Sequence, residues 1–190
     1  MLTTTTQAWT LADLEELLRH EEWQAADTVT HALLAAASDG QGGGELTIPA
    51  LAQLPCSTLH HLDRLWVEAS QGHFGFSVQR HLYNRLCQGF DPGELNVFNP
   101  HPFLREVGWL MLAIPRPMAF CKFYNFLEFS LEAPRGHLPA LWYWQVSWAE
   151  SWRMGGFGTG RGGGFADLAR LDALMLRLAR CSKSAPELRE

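Results

Sequence analysis

Apolar residues return at three- and four-residue intervals in run after run along this 190-residue chain, a period that commits most of it to amphipathic helices packed on a shared core. Leu11, Leu14, Leu17 and Leu18 share one face with acidic residues opposite, and Thr10 followed by Asp13 gives that run a capped start. Glu22 to Ser38, rich in alanine and leucine, is a second run. It stops at Gly40-Gln41-Gly42-Gly43-Gly44, which reads as an exposed connection and not as a phosphate cradle. Beyond Pro49 and Pro55, a helix is expected over about Ser57 to Ala69 on Leu59, Leu62, Leu65 and Trp66, with Gly72 as its stop. Phe76 to Cys87 resumes the period through Val78, Leu82, Tyr83 and Leu86, so Phe74-Gly75-Phe76 is a turn between two helices. The last run, Asp167 to Arg180, aligns Leu168, Leu171, Leu174, Met175 and Leu178. It leaves Arg170, Arg177 and Arg180 outside the stripe, and docking back onto the body is expected.

The middle of the chain is less regular. Phe90 to Pro102 reads as a loop before a short helix near Phe103 to Trp109. Ala113 to Ser130 carries Pro115 and Pro117 ahead of Phe120, Phe123, Tyr124, Phe126 and Phe129, and reads as an aromatic-rich mobile loop. In Leu138 to Met154, Trp144, Trp148 and Trp152 recur every four residues and would line one helix face, with Trp142 beside them. With 47% hydrophobic residues the chain can bury one sizeable core but hardly two. The expected organisation is therefore an all-α, single multi-helical domain over residues 1–150, a Gly-rich linker at 155–164, and a C-terminal helix and tail at 165–190.

Charge narrows the partners. A formal net charge of -5 leaves no basic excess to neutralise a nucleic-acid backbone, so no nucleic-acid partner is expected. Of the 15 basic residues only Lys122 and Lys183 are lysine; the rest are arginine, whose planar guanidinium pairs with carboxylates and stacks on rings. That suits a flat anionic ligand. Cys56, Cys87, Cys121 and Cys181 lie far apart, and four free thiols in a reducing compartment are expected. Met1 to Ala8 reads as neither signal nor transit peptide, and no apolar run reaches the roughly 18 residues of a membrane span. A soluble protein that at most touches a membrane surface is the expectation.

Catalysis finds little support. Cys56 and His60 stand four apart, but no third group can be named to support them. The eight histidines show no metal-ligand spacing. Gly158-Thr159-Gly160-Arg161-Gly162-Gly163 satisfies G-x-G-x-x-G formally, yet no strand precedes it, so it reads as linker.

Several ordered blocks carry a resemblance. They are Leu17-Leu18 with Trp23-Gln24-Ala25-Ala26-Asp27 and Thr30, Leu62-Asp63-Arg64-Leu65-Trp66, Gly72-His73-Phe74-Gly75-Phe76-Ser77-Val78-Gln79, Val107-Gly108-Trp109, and Leu131-Glu132-Ala133-Pro134-Arg135-Gly136-His137-Leu138-Pro139. Over about residues 11–144 the chain resembles the Genomes Uncoupled family of porphyrin-binding regulators of magnesium chelatase. The resemblance implies an all-helical domain shaped like a cupped hand. Its ligand would be protoporphyrin IX or Mg-protoporphyrin IX, with no permanently bound cofactor, no chemistry by the protein itself, and the large subunit of magnesium chelatase as partner. It also implies a cyanobacterial cytoplasm with peripheral contact at the thylakoid membrane. One departure is plain: Gly108-Trp109 is usually followed by a basic residue in that family, and here by Leu110-Met111-Leu112-Ala113.

The residues themselves suit such a ligand, because a porphyrin offers two apolar faces and a rim with two propionates. Phe74 and Phe76 are candidates for one wall, or else core anchors of a helix–helix corner. Trp109, Phe120, Phe123, Tyr124 and Phe126 are candidates to close over the other face, and Arg135 is the candidate propionate partner. Trp66 is expected in the core, while Gln79 and His137 are expected to fix backbone groups. An axial ligand for magnesium could come from His73, His137 or water, which the sequence does not decide. A divergent paralogue binding a bilin, or an interaction module without ligand, would fit the same residues.

Overall fold

Thr10 and Asp13 start the first helix reciprocally: the Thr10 Oγ1 accepts from the Asp13 backbone N–H at 3.2 Å, and the Asp13 carboxylate accepts from the Thr10 N–H at 2.8 Å. In this computed structural model the described residues are 9–38, 46–95, 99–113, 116–144 and 166–183. Among them the helices are α1 (Leu11–Arg19), α2 (Trp23–Ala37), α3 (Ile48–Gln53), α4 (Cys56–Ala69), α5 (Phe76–Leu86), α6 (Pro102–Glu106), α7 (Leu141–Trp144) and α8 (Leu168–Lys183). Single 3-10 turns lie at Pro92–Glu94 and Tyr124–Phe126. The helical class expected from the apolar period holds.

Two elements differ from expectation. Pro49 does not break the chain but sits in the first turn of α3, where a missing N–H costs nothing; Thr47 Oγ1 caps it by accepting from the Ala50 N–H at 3.3 Å. Part of Ala113 to Ser130, expected as one loop, forms a ribbon instead: β1 (Leu110–Ala113) pairs antiparallel with β2 (Arg116–Cys121), in register Leu110 to Cys121 and Ala113 to Arg116. A two-stranded ribbon tolerates prolines because each strand has an unpaired edge that needs no N–H. The linker at 155–164, together with Trp148 and Trp152, lies outside the described residues.

The helices pack so that α1 lies on α2 and α4, α2 on α4 and α7, and α5 on α4 and α6, while α8 covers α3 and α5. Two aromatic clusters fill the interior. Trp23, Trp66 and Phe74 form one, with ring centroids 5.5–6.3 Å apart, and the Trp66 Nε1 donates to Thr30 Oγ1 at 2.9 Å. Trp109 centres the other, with Phe103, Trp142, Tyr143 and Trp144 at 4.8–5.9 Å. Each indole N–H here also finds a carbonyl, which is what makes such rings affordable inside a core: Trp109 donates to His137, Trp142 to Pro139 and Trp144 to Lys122.

The arginines outside the α8 stripe are not free. Arg170 is only 2% exposed and its Nε donates to the Trp142 carbonyl at 2.9 Å; the Arg177 Nε donates to the Leu54 carbonyl at 2.7 Å. Leu54 is the residue that ends α3, so Arg177 satisfies a carbonyl that the short helix leaves open. The expectation of four free thiols is also corrected: Cys56 and Cys181 form a disulfide, with their Cα atoms 5.2 Å apart, and the free cysteines are Cys87 and Cys121. Packing of α8 on α3 brings together two cysteines that sequence spacing keeps 125 positions apart.

Between α4 and α5 the backbone turns on Gly75, which precedes α5 with φ of +130° and so offers no side chain to cap it. Asp63 of α4 supplies the cap instead, its Oδ1 accepting from the Ser77 N–H at 2.7 Å. A Cβ on Gly75 would lie 2.7 Å from Val67 Cγ2 and 2.9 Å from that same Asp63 Oδ1, whereas one on Gly72, also at positive φ, would meet nothing within 4 Å. Gly75→Ala is therefore expected to cost well over the roughly 1 kcal/mol of the backbone alone and to lower Tm by several degrees more than Gly72→Ala, measured by thermal melts.

Candidate functional site

His73-to-Gln79 and Ala133-to-Pro139, the two segments richest in unusual residues, are bound to each other. The Gly136 N–H donates to the His73 carbonyl at 2.9 Å and the Gly75 N–H to the Leu138 carbonyl at 3.1 Å. Gln79, wholly buried at the second turn of α5, donates from Nε2 to the carbonyls of Gly136 at 3.0 Å and Pro139 at 2.8 Å. The His73 Nε2 donates to the Ala133 carbonyl at 2.7 Å. Val107-Gly108-Trp109 closes the third side: His137 donates from Nδ1 to the Val107 carbonyl at 2.6 Å and returns its own carbonyl to the Trp109 indole at 2.9 Å. Gly108 and Gly136, both at positive φ, keep this junction tight, since a Cβ on either would lie within 3 Å of Pro134 or Leu82 respectively.

A partly apolar surface lies beside this junction. The Trp109 carbonyl accepts from the Lys122 N–H at 2.9 Å, and the Lys122 carbonyl takes the Trp144 indole at 2.7 Å, so the chain leaves the buried cluster at Lys122. Phe123 follows, half-buried, and the Tyr124–Phe126 turn then presents Phe126 at 73% exposure with its ring 6.0 Å from that of Phe123. Leu131 and Met111 are also exposed. Met111 stands in the Leu110-to-Ala113 stretch that departs from the family pattern, where β1 alternates buried Leu110 with exposed Met111. Arg135 is exposed in the loop whose next residues are locked by Gln79 and Trp109.

The sequence-derived site residues therefore divide. Phe74, Phe76, Trp109 and Tyr124 are buried core residues that do not face solvent; Phe120 and Phe123 are half-buried; Phe126 and Arg135 are exposed. Gln79 and His137 fix backbone groups and Trp66 is core, as their residue types suggested. His137 has both nitrogens engaged, Nε2 accepting from the Glu128 N–H at 3.3 Å, so it is no axial ligand in this arrangement.

Asp27, to which the sequence pattern alone assigns no role, ties α2 to α7. Its carboxylate accepts from the Ala140 N–H at 2.9 Å, the Leu141 N–H at 3.0 Å and the Tyr124 hydroxyl at 3.0 Å. The available signal was an acid on the apolar face of a helix, flanked by Ala26 and Thr30 and one turn from Trp23.

Two cysteines are free. Burial pushes the Cys87 thiol up to about 11 and the Cys121 thiol up to about 12, so both stay protonated near neutral pH. Among the described residues no three His, Cys, Asp or Glu side chains are placed to hold a metal ion, and no helix is long and apolar enough to cross a membrane. A cavity of about 210 Å³ between α1 and α4, lined by Leu11, Ala12, Glu15, His61, Arg64 and Leu65, is smaller than the roughly 300–1,000 Å³ usual for small-molecule sites.

What the fold and junction define is a helical domain with an aromatic interior, cross-tied by buried polar side chains. A family model described as GUN4-like matches residues 4–154, and the chain belongs to the GUN4-like family. It is 31% identical over 129 residues to the uncharacterized protein ycf53 of Pyropia yezoensis, covering 67% of this chain and 48% of that protein. To the Ycf53-like protein of a Synechocystis strain it is 29% identical over 131 residues, covering 67% of this chain and 49% of the relative. The chain thus spans about half the length of the curated relatives it matches. Among solved structures, ligand-free GUN4 of Arabidopsis thaliana aligns with a TM-score of 0.56 at 22% identity, covering 95% of this chain and 98% of that one. GUN4 of Chlamydomonas reinhardtii aligns with 0.52 at 23% identity, covering 74% and 86%. These likenesses show a shared fold.

Two buried groups of the junction titrate in opposite senses. Burial pushes the Asp27 carboxyl up to about 7 despite its three donors, and pushes His137 down to about 4 despite the Val107 carbonyl. A carboxyl raised above its unfolded value of roughly 4 contributes fully below that pH and loses its contribution as pH rises towards its folded value. An imidazole lowered from roughly 6.5 contributes fully above that pH and loses its contribution as pH falls towards its folded value. Between about pH 4 and 6.5 the two slopes oppose each other. Asp27→Asn removes the falling limb, so its urea-unfolding free energy should rise with pH across that window more steeply than the wild type's.

Proposed function

We propose that this chain is a non-enzymatic tetrapyrrole-binding protein that takes up protoporphyrin IX or Mg-protoporphyrin IX and regulates magnesium chelatase through its large subunit, at or near a thylakoid surface. Membership of the GUN4-like family supports a porphyrin-binding regulatory role in general. The observation that carries the reading to particular residues is the Phe123–Phe126 turn, which leads an exposed ring out from the buried Trp109 cluster, with Arg135 in the adjoining loop. A porphyrin face would lie on Phe126 and Phe123, and a propionate would take the Arg135 guanidinium as a charge-assisted pair. Phe74, Phe76, Trp109 and Tyr124 would support that surface from behind.

A second reading, a bilin-binding paralogue or an interaction module without ligand, draws on the burial of these four aromatics, since rings that pack against the protein's own side chains are not free to stack on a ligand. Titration with protoporphyrin IX, Mg-protoporphyrin IX and a bilin, followed by quenching of the eight tryptophans, separates these readings. Saturable quenching by a porphyrin is expected, with Kd raised roughly five- to thirtyfold in Phe126→Ala and in Arg135→Ala, as the loss of one stacking or charged contact worth about 1–2 kcal/mol implies. Preference for the bilin would favour the paralogue, and no saturable quenching with any of the three would sink the ligand reading.

A further inference from the structure

The Cys56–Cys181 bond joins the first turn of α4 to the last turn of α8, and its two ends differ in access: Cys56 is half-buried, whereas Cys181 is 1% exposed. It reinforces a contact already made without it. Leu171, Leu174, Met175 and Leu178 bury the stripe of α8, Arg177 holds the end of α3, and the Tyr83 hydroxyl donates to Asp172 at 2.6 Å. At the other end of α8 the Asp167 N–H donates to the Tyr143 hydroxyl at 2.9 Å and Arg170 to the Trp142 carbonyl. α8 is therefore anchored twice, to α7 near its start and to α3 and α4 near its end, and only the second anchor is covalent.

We propose that Cys56–Cys181 is a reversible clip that a dithiol reductant opens by attack at Cys56, loosening the C-terminal turns of α8 on α3 and α4 while the start of α8 stays on α7. One thiolate of the dithiol bonds to the Cys56 sulfur, the Cys56–Cys181 bond breaks, and its electron pair passes to the Cys181 sulfur, which takes a proton. The second thiol of the reductant, as thiolate, then displaces Cys56. The products are two protein thiols and the oxidised, cyclic reductant. Access selects the sulfur attacked, since the Cys181 side lies beneath the helix. Release of a thiolate into that buried position is costly, so exchange proceeds together with fraying of the last turn of α8. Cys87 and Cys121 compete poorly, being protonated and partly or wholly buried. The clip does not depend on which ligand the protein takes.

The test uses the full chain in two buffers, one with oxidised and one with reduced dithiothreitol. Alkylation under denaturing conditions should count two thiols in the first, the free Cys87 and Cys121, and all four in the second. Hydrogen exchange read by mass spectrometry should then be at least about tenfold faster in the last two turns of α8 on reduction, with α2 unchanged. Cys56→Ser should show the fast α8 exchange in both buffers. Four alkylated thiols in the oxidised buffer, equal α8 exchange in the two buffers, or acceleration of α2 and α8 alike would each overturn the clip. The wild-type comparison stands whether or not the variant folds.

Discussion

Gln79 places both hydrogens of one carboxamide on the carbonyls of Gly136 and Pro139, and in doing so holds the α4–α5 half of the molecule against the loop that leads into α7. Backbone carbonyls of an irregular segment have no ladder of their own, and a buried one left without a donor costs about 1–3 kcal/mol. Two such carbonyls satisfied by one rigid side chain fix the loop in a single register. The other ties lean on that register. His137, next to Gly136, donates to the Val107 carbonyl, and its own carbonyl accepts from the Trp109 indole.

Asp27 does for α7 what Gln79 does for the loop. At the start of α7, described over Leu141–Trp144, a buried carboxylate gathers the N–H groups of Ala140 and Leu141. The energetic balance at this residue is close. Desolvation of a fully buried carboxyl works against the three donors it receives. Apolar burial around Trp109, Trp142 and Trp144 stabilises this side of the core, and the polar ties fix the backbone segments that frame it.

Most of the helical frame was legible in the sequence, because α1, α2, α4, α5 and α8 each bury one continuous stripe and the period of a stripe survives in the order of residues. α3 and the β1–β2 ribbon were not, since their prolines carry two meanings: Pro49 opens a helix, and Pro117 pairs across a ribbon, yet both read as breaks. The junction was legible in part. Gln79, His137 and Trp66 could be assigned structural work from residue type, but the direction in which an aromatic ring faces is a tertiary fact. Phe76 at the start of α5 and Phe126 in its turn look alike in sequence, and one is fully buried where the other is exposed. The same holds for Cys56 and Cys181, whose partnership exists only once α8 has found α3.

That last packing has a consequence for how the molecule comes into being. α3 is six residues long, and its principal cover is α8, whose Cys181 follows Cys56 by 125 positions. The apolar faces of Leu51, Leu54 and Leu59 thus remain uncovered on their α8 side until α8 has been made, whatever the helices before it have already achieved among themselves. Closure of this side of the core is a long-range event, and a nascent chain that carries α3 without α8 leaves that apolar surface open to other hydrophobic surfaces.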